Sequence, residues 1–268
     1  MKLSDRTVRF ALKPAVFVAS FMPLVYLVWA ALTGNLSANP LSDVTNETGV
    51  WTLRFVCITL ALTPLRKFTG WNGFIKFRRM AGLYAFFYGS LHLLTYAIAD
   101  RFAGLDQAGG WVEAAAAHRL PAATLVASTA RAMARSIGED IYKRPFITLG
   151  FAAWLTMLPL AATSTAGWIR RLGGKRWNRL HRLVYFTGIL GPLHYWWLVK
   201  ADVSRPIAYA AAVAVLLSAR IYWSRARRAA VRRVGSADGE GRREEYLSAL
   251  RTYRPTTVAA VSRAPRRE

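Results

Sequence analysis

The sequence predicts an all-α polytopic membrane protein, a bundle of six transmembrane helices with both termini on the cytoplasmic side. Three observations carry that prediction. Apolar runs long enough to cross a bilayer recur along a chain that is 54% hydrophobic. The same chain carries 37 Lys and Arg against 14 Asp and Glu, a formal charge of +23. That charge is concentrated in alternate short connections, as it is when cytoplasmic loops retain Lys and Arg. Charge of this size would suit a nucleic-acid binder, but such proteins rarely hold several apolar runs of about 20 residues. Nucleic acid is therefore excluded as a partner, and contact with anionic lipid headgroups is expected instead.

The first apolar segment, residues 12–32, follows Lys2, Arg6, Arg9 and Lys13. A basic start before an apolar run is also how a secretory signal begins, but no small-residue cleavage site with a soluble domain follows, so this helix is expected to be retained. The connection 33–49 holds Asp43 and Glu47 and no Lys or Arg, which places it outside. Segment 50–66 leads to a loop around 66–79 with Arg66, Lys67, Lys76, Arg78 and Arg79, a cytoplasmic signature. Segment 80–99 then runs outward into a long outer loop, 100–145, of mixed charge. Its Ala-rich stretch 111–136 predicts short amphipathic helices on the outer membrane surface, interrupted at Pro121. Segments 146–164 and 181–200 flank the connection 168–182, whose Arg170, Arg171, Lys175, Arg176, Arg179 and Arg182 place it inside. The last segment, 205–223, returns to the cytoplasm. Pro23, Pro64, Pro159 and Pro192 fall within these runs, where membrane helices tolerate them.

Two regions follow: a helical transmembrane domain over 1–223 and an Arg-rich, mostly disordered cytoplasmic tail over 224–268, weakly helical at 240–253. Cys57, the single cysteine, has no partner for a disulfide or a thiolate metal site. There is no internal repeat, no glycine-rich nucleotide fingerprint and no soluble stretch long enough for a nucleotide-binding domain. The ten Trp and eleven Tyr read mostly as interfacial belts.

The chemistry rests on histidine. Of four, His92 lies in the third span, while His181 and His194 lie in the fifth. An ionisable residue at membrane depth is costly and is a functional candidate by default. Neutral imidazole is the common axial ligand of b-type haem, and a low-spin electron-transfer haem needs one on each face. At about 1.5 Å per residue, His194 lies about 20 Å further outward than His181, at nearly the depth of His92. His92 and His194 are thus the expected pair of haem ligands. Gly82, Gly89, Gly188 and Gly191 share stripes with the histidines and leave room for a porphyrin edge, although Gly also serves helix packing. His181 sits at the membrane boundary, where it is either a metal ligand or a solvated interfacial residue. Arg78 and Arg79 lie at its depth, as topology anchors or as partners for a haem propionate, a flavin phosphate or an anionic lipid. His118, in the outer loop, has no special role. No residue is assigned to catalysis.

The segments NPLSDVTNETGVWTLRFVCITLALTPLRK, RRMAGLYAFFYGSLHLLTYAIAD, KRPFITLGFAAWLTMLPLAATST and RRLGGKRWNRLHRLVYFTGILGPLHYWWLVK closely resemble the MsrQ (formerly YedZ) family. These are haem-binding membrane subunits of bacterial periplasmic methionine sulfoxide reductase systems, and the likeness covers residues 10–223. The resemblance implies a ferric-reductase-like transmembrane domain in the bacterial inner membrane, with b-type haem and with His92, His181 and His194 at the family's histidine positions. It implies electrons taken from the quinone pool, or from a cytoplasmic flavin reductase through FMN, and delivered to a periplasmic molybdopterin subunit that repairs oxidised methionine in envelope proteins. Two departures stand out. The outer loop and the Arg-rich tail are longer than the family usually has. In related eukaryotic-type oxidases and ferric reductases the third helix carries a second His about four turns before the outer one, and here that position falls at Arg78 or Arg79. One secure haem, with a second haem or a flavin on the inner side, is the resulting expectation. Two other readings stand beside it: a stand-alone ferric or oxygen reductase of the same fold, and a transporter or scaffold whose histidines only bond across helices.

Overall fold

The apolar segments fold as helices, and a polar cap at Asn39 starts one of them well before its apolar run. The computed structural model describes residues 4–100, 122–199 and 201–235, which are helical apart from short turns. Packing divides the chain into two units, Met1–Ser218 and Ala219–Glu268. In the first, a π-helical turn, Val8–Leu12, leads into α1 (Lys13–Leu32). Helix α2 (Pro40–Thr69) starts ten residues before the apolar run that predicts it. Pro40 opens it, the Asn39 side chain accepts from the Ser42 amide at 3.1 Å, and Asp43 lies in the first turn. Arg66 and Lys67 in the last turn and Gly70 in the left-handed conformation (φ 67°) end it.

A 3₁₀ turn, Asn72–Phe74, reverses the chain into α3 (Ile75–Leu94), which continues as a π-helix over Thr95–Asp100. Next come α4 (Ala122–Lys143), α5 (Pro145–Ala162) and α6 (Ala166–Leu180), then a 3₁₀ turn His181–Leu183 and α7 (Val184–Leu198). Helix α8 (Ser204–Gly235) gives Ser204–Ser218 to the first unit, while Ala219–Gly235 is the described part of the second.

The core lies where α2, α3, α5 and α8 meet, around Phe55, Leu60, Tyr84, Tyr88, Met157 and Val213. Phe55 stacks on both Tyr84 and Tyr88, each with ring centroids 5.4 Å apart. A buried tyrosine needs a partner for its hydroxyl. Tyr84 donates to the Phe17 carbonyl and Tyr88 to the Ser20 carbonyl, both at 2.8 Å, which ties α1 to α3 just before Pro23 loosens the backbone ladder of α1. Helix α5 is joined to α3 by Trp154 Nε1 donating to Ser90 Oγ at 3.1 Å, and to α7 by the 2.6 Å hydroxyl pair Thr156–Thr187.

Four helical stretches among the described residues are long and apolar enough to cross a membrane: Val8–Leu32, Pro40–Thr69, Pro145–Ala162 and Ser204–Ala226. The two histidine-bearing helices are not among them. Helix α3 carries Lys76, Arg78 and Arg79 near its start, and α7 has only 15 residues. That is about 22 Å of rise against a hydrocarbon core of about 30 Å.

Three elements depart from the sequence expectation. The basic connection 168–182 is helical as α6, broken at Gly173, whose φ of 71° interrupts the helix. The described part of the Ala-rich stretch belongs to a helix of 22 residues, α4 (Ala122–Lys143), which ends seven residues later than expected. Helix α8 runs past Ser224 to Gly235 because its Arg- and Ala-rich continuation consists of good helix formers. His118, Pro121 and the stretch 240–253 lie outside the described residues.

Candidate functional site

Helices α2 and α3 form one side of the site, α5 and α7 the other, and the two sides are built alike. From α3, His92 places Nδ1 at 2.8 Å from the Thr45 carbonyl of α2. Four residues along α2 from that carbonyl is Gly49, where an added Cβ would stand 3.1 Å from His92 Cε1 and Nδ1. From α7, His194 places Nδ1 at 2.6 Å from the Phe146 carbonyl of α5. Four residues along α5 is Gly150, where an added Cβ would stand 2.8 Å from His194 Cε1. Each imidazole thus lies in a notch that a glycine leaves in the facing helix, with that helix's carbonyl one turn earlier as its anchor.

The chemistry follows from the acceptor. A carbonyl oxygen can only accept, so Nδ1 of both histidines carries the proton and Nε2 keeps its lone pair. That is the tautomer a metal-ligating imidazole needs. The two ring centroids are 6.1 Å apart, with the planes at 75°. Two imidazoles sharing one metal at bonds of about 2 Å, with about 1.2 Å from nitrogen to ring centre, have centres about 6.4 Å apart. Around them opens a cavity of about 620 Å³, in the range of cofactor pockets. Its walls are apolar, including Leu53, Val56, Ala153, Trp154 and Met157, and Gly89 and Gly191 line it one turn before each histidine. The pair Gly89-Ser-Leu-His92 and Gly191-Pro-Leu-His194 is a short local repeat that the sequence reading does not detect. Gly188 packs instead against Leu60 and Val213, and the nearest neighbour of Gly82 is a Thr59 methyl at 3.9 Å, so these two serve helix packing.

His181 is arranged differently. The Thr163 hydroxyl donates its single proton to the Pro159 carbonyl at 2.6 Å and lies 3.2 Å from His181 Nε2. It can only accept from the imidazole, so here Nε2 carries the proton. Trp177 stacks on the ring at a centroid distance of 3.8 Å and donates to the Thr163 carbonyl. Arg78 interacts electrostatically with His181, whereas Arg79 is exposed. The structure therefore brings His92 and His194 together, sets Arg78 by His181 as a separate group, and leaves Arg79 apart. Sequence reasoning missed Gly49 and Gly150, because each faces a histidine on another helix and shares no stripe with it.

At the end of the cavity where α2, α5 and α8 begin, the lining turns polar with Asn46, Glu47, Tyr96, Arg144 and Arg205. The Asp202 carboxylate, just before α8, accepts from the Ser204 amide at 2.9 Å. Hydrogen bonding from Ser204 holds it below the usual carboxylate range.

An all-helical scaffold with two matched histidines in an apolar cavity defines a class, and comparison bears on it. Residues 48–191 match the family described as ferric reductase like transmembrane component, so the chain is a member of that class. More narrowly, the chain belongs to the MsrQ family. It is 48% identical over 215 residues to the protein-methionine-sulfoxide reductase heme-binding subunit MsrQ of Ralstonia nicotianae, covering 80% of this chain and 86% of that one. It is 44% identical over 231 residues to the protein of the same name from Xanthomonas euvesicatoria, covering 83% and 92%. With that of Herminiimonas arsenicoxydans it shares 42% over 215 residues, covering 80% and 85%. No solved structure matches the chain.

Proposed function

We propose that this chain is the haem-binding electron-transfer subunit of a methionine sulfoxide reductase system in the bacterial inner membrane. The observation that carries the proposal is the His92–His194 pair, with ring centroids 6.1 Å apart and both Nε2 atoms unprotonated in an apolar cavity. In this reading α1, α2, α3, α5, α7 and α8 all cross the bilayer, with both termini inside. His92 and His194 would hold one b-type haem through their Nε2 atoms, and His181, stacked on Trp177, stands outside that pair. Bound there, haem supplies a one-electron carrier held near the outer face. The protein's own residues do the rest. The Thr45 and Phe146 carbonyls fix ring tautomer and orientation, Gly49 and Gly150 admit the rings, and the apolar walls exclude water.

On the cytoplasmic side, Arg78, His181 and Trp177 form the group that holds the electron donor, quinol or FMN reduced by a flavin reductase. An aromatic face beside a guanidinium suits a flat, electron-rich ring, and Arg79 adds positive charge for a phosphate or for lipid. The acceptor is a periplasmic molybdopterin subunit, where methionine sulfoxide takes two electrons and two protons to give methionine and water.

The test is a dithionite-reduced minus oxidised spectrum of the purified chain with haem and flavin counted per chain. One b-type haem is expected, and its absence under haem-sufficient expression would leave only a scaffold or transporter. Reduction of ferric chelates or oxygen with no periplasmic partner present would favour the stand-alone reductase.

A further inference from the structure

The cavity between His92 and His194 is apolar on its walls and cationic at one end. Arg144 and Arg205 line that end, Arg144 directly before α5 and Arg205 in the first turn of α8. They share it with one acidic side chain, Glu47, and with Asn46 and Tyr96.

Arg144 is held by a buried acid. Asp140, four residues earlier on α4, is only 7% exposed. One of its carboxylate oxygens meets Arg144 Nε at 3.4 Å, and the other accepts from the Tyr96 hydroxyl. A buried carboxylate is costly unless paired, and here it is paired from both sides. Because Asp140 engages Arg144 through Nε, the terminal amino groups of the fork remain for a second anion. Those groups make no hydrogen bond to protein among the described residues. Arg205 makes no ion pair among the described residues either, and Asp202, which it influences electrostatically, already accepts from the Ser204 amide.

We infer that Arg144 and Arg205 clamp the two carboxylates of the porphyrin, so that its carboxylate edge faces the outer surface and its apolar edge points inward between α2 and α7. This rests on the haem reading of the cavity and adds to it the orientation of the ring and the residues that set it. Two cations at one mouth match a dicarboxylate, and the opposite end, with Leu53, Val56, Met157 and Gly191, could not solvate one. Asp140 and Tyr96 are positioning residues that aim Arg144. They also tie the outer-loop helix α4 and the π-turn after α3 to the rim where an electron acceptor would approach the ring edge.

The test compares haem b with its dimethyl ester, which has the same iron and macrocycle but no charged carboxylates. Full-length apo-protein in detergent is titrated with each, by Soret absorbance and by release into excess apomyoglobin. Variants are Arg144→Gln, Arg205→Gln, both together, and Lys143→Gln, an exposed residue that pairs with Glu139. The natural protein is expected to hold haem about tenfold more tightly than the ester, each single variant to lose about two- to fivefold of that preference, and the double variant to treat both ligands alike. Asp140→Asn should act like Arg144→Gln, and Lys143→Gln should change nothing. Equal binding of haem and ester by the natural protein, or undiminished preference in the double variant, would overturn the clamp while leaving the histidine pair intact. A natural protein that takes up neither porphyrin would overturn the haem reading and the clamp together.

Discussion

Replacing Gly150 by alanine adds one methyl group at the point where the site tolerates it least. The new Cβ would stand 2.8 Å from His194 Cε1, 2.9 Å from Nδ1 and 3.2 Å from Cγ, where ordinary contact begins at 3.4 Å. The backbone of α5 cannot yield by that much, so the imidazole must retreat by roughly 0.5–1 Å, an overpacking cost of about 1–3 kcal/mol. Its 2.6 Å hydrogen bond to the Phe146 carbonyl stretches in the same movement. Loss of an outer partner of a ligating histidine typically lowers metal affinity about 10- to 100-fold. Helix propensity works the other way, since alanine in a helix is favoured over glycine by about 1 kcal/mol. The expected protein therefore folds normally and binds haem about 10- to 100-fold more weakly, measured by haem titration beside circular dichroism. Gly49→Ala, with contacts of 3.1 Å, should show a smaller loss, and Gly174→Ala, with nothing within 4 Å, none. Wild-type haem affinity in Gly150→Ala would refute the notch.

His92→Ala and His194→Ala should each lose most of the haem by pyridine-haemochrome assay, and His118→Ala should lose none. His181→Ala should keep the haem but slow its reduction by quinol or reduced flavin, seen in stopped-flow absorbance, with loss of haem arguing for an inner haem instead. Tyr88→Phe removes the hydrogen bond to Ser20 and should lower stability by about 0.5–1.5 kcal/mol in thermal unfolding, with haem content unchanged.

Much of the helical layout was legible in the sequence because a bilayer demands long apolar runs. Segment 12–32 became Lys13–Leu32 and 146–164 became Pro145–Ala162. Helix α2 was read short because its first turns, PLSDVTNETG, are polar and their helicity depends on the Asn39 cap. Depth arithmetic matched His92 with His194, since a straight helix converts residue count into height. It could not show which helix each ring leans on. Gly49 and Gly150 acquire meaning only once α2 meets α3 and α5 meets α7. Protonation was equally hidden, because Nδ1 against a backbone carbonyl and Nε2 against a hydroxyl that has already spent its proton are differences of three-dimensional contact.

Central to the proposed function is one metal held between His92 and His194. Low-temperature electron paramagnetic resonance of the ferric protein, with haem counted per chain, tests this most directly. One low-spin bis-imidazole haem per chain, converted to a high-spin signal or lost in both His92→Ala and His194→Ala and retained in His181→Ala, is the expected result. A low-spin signal that survives either of the first two substitutions would contradict it.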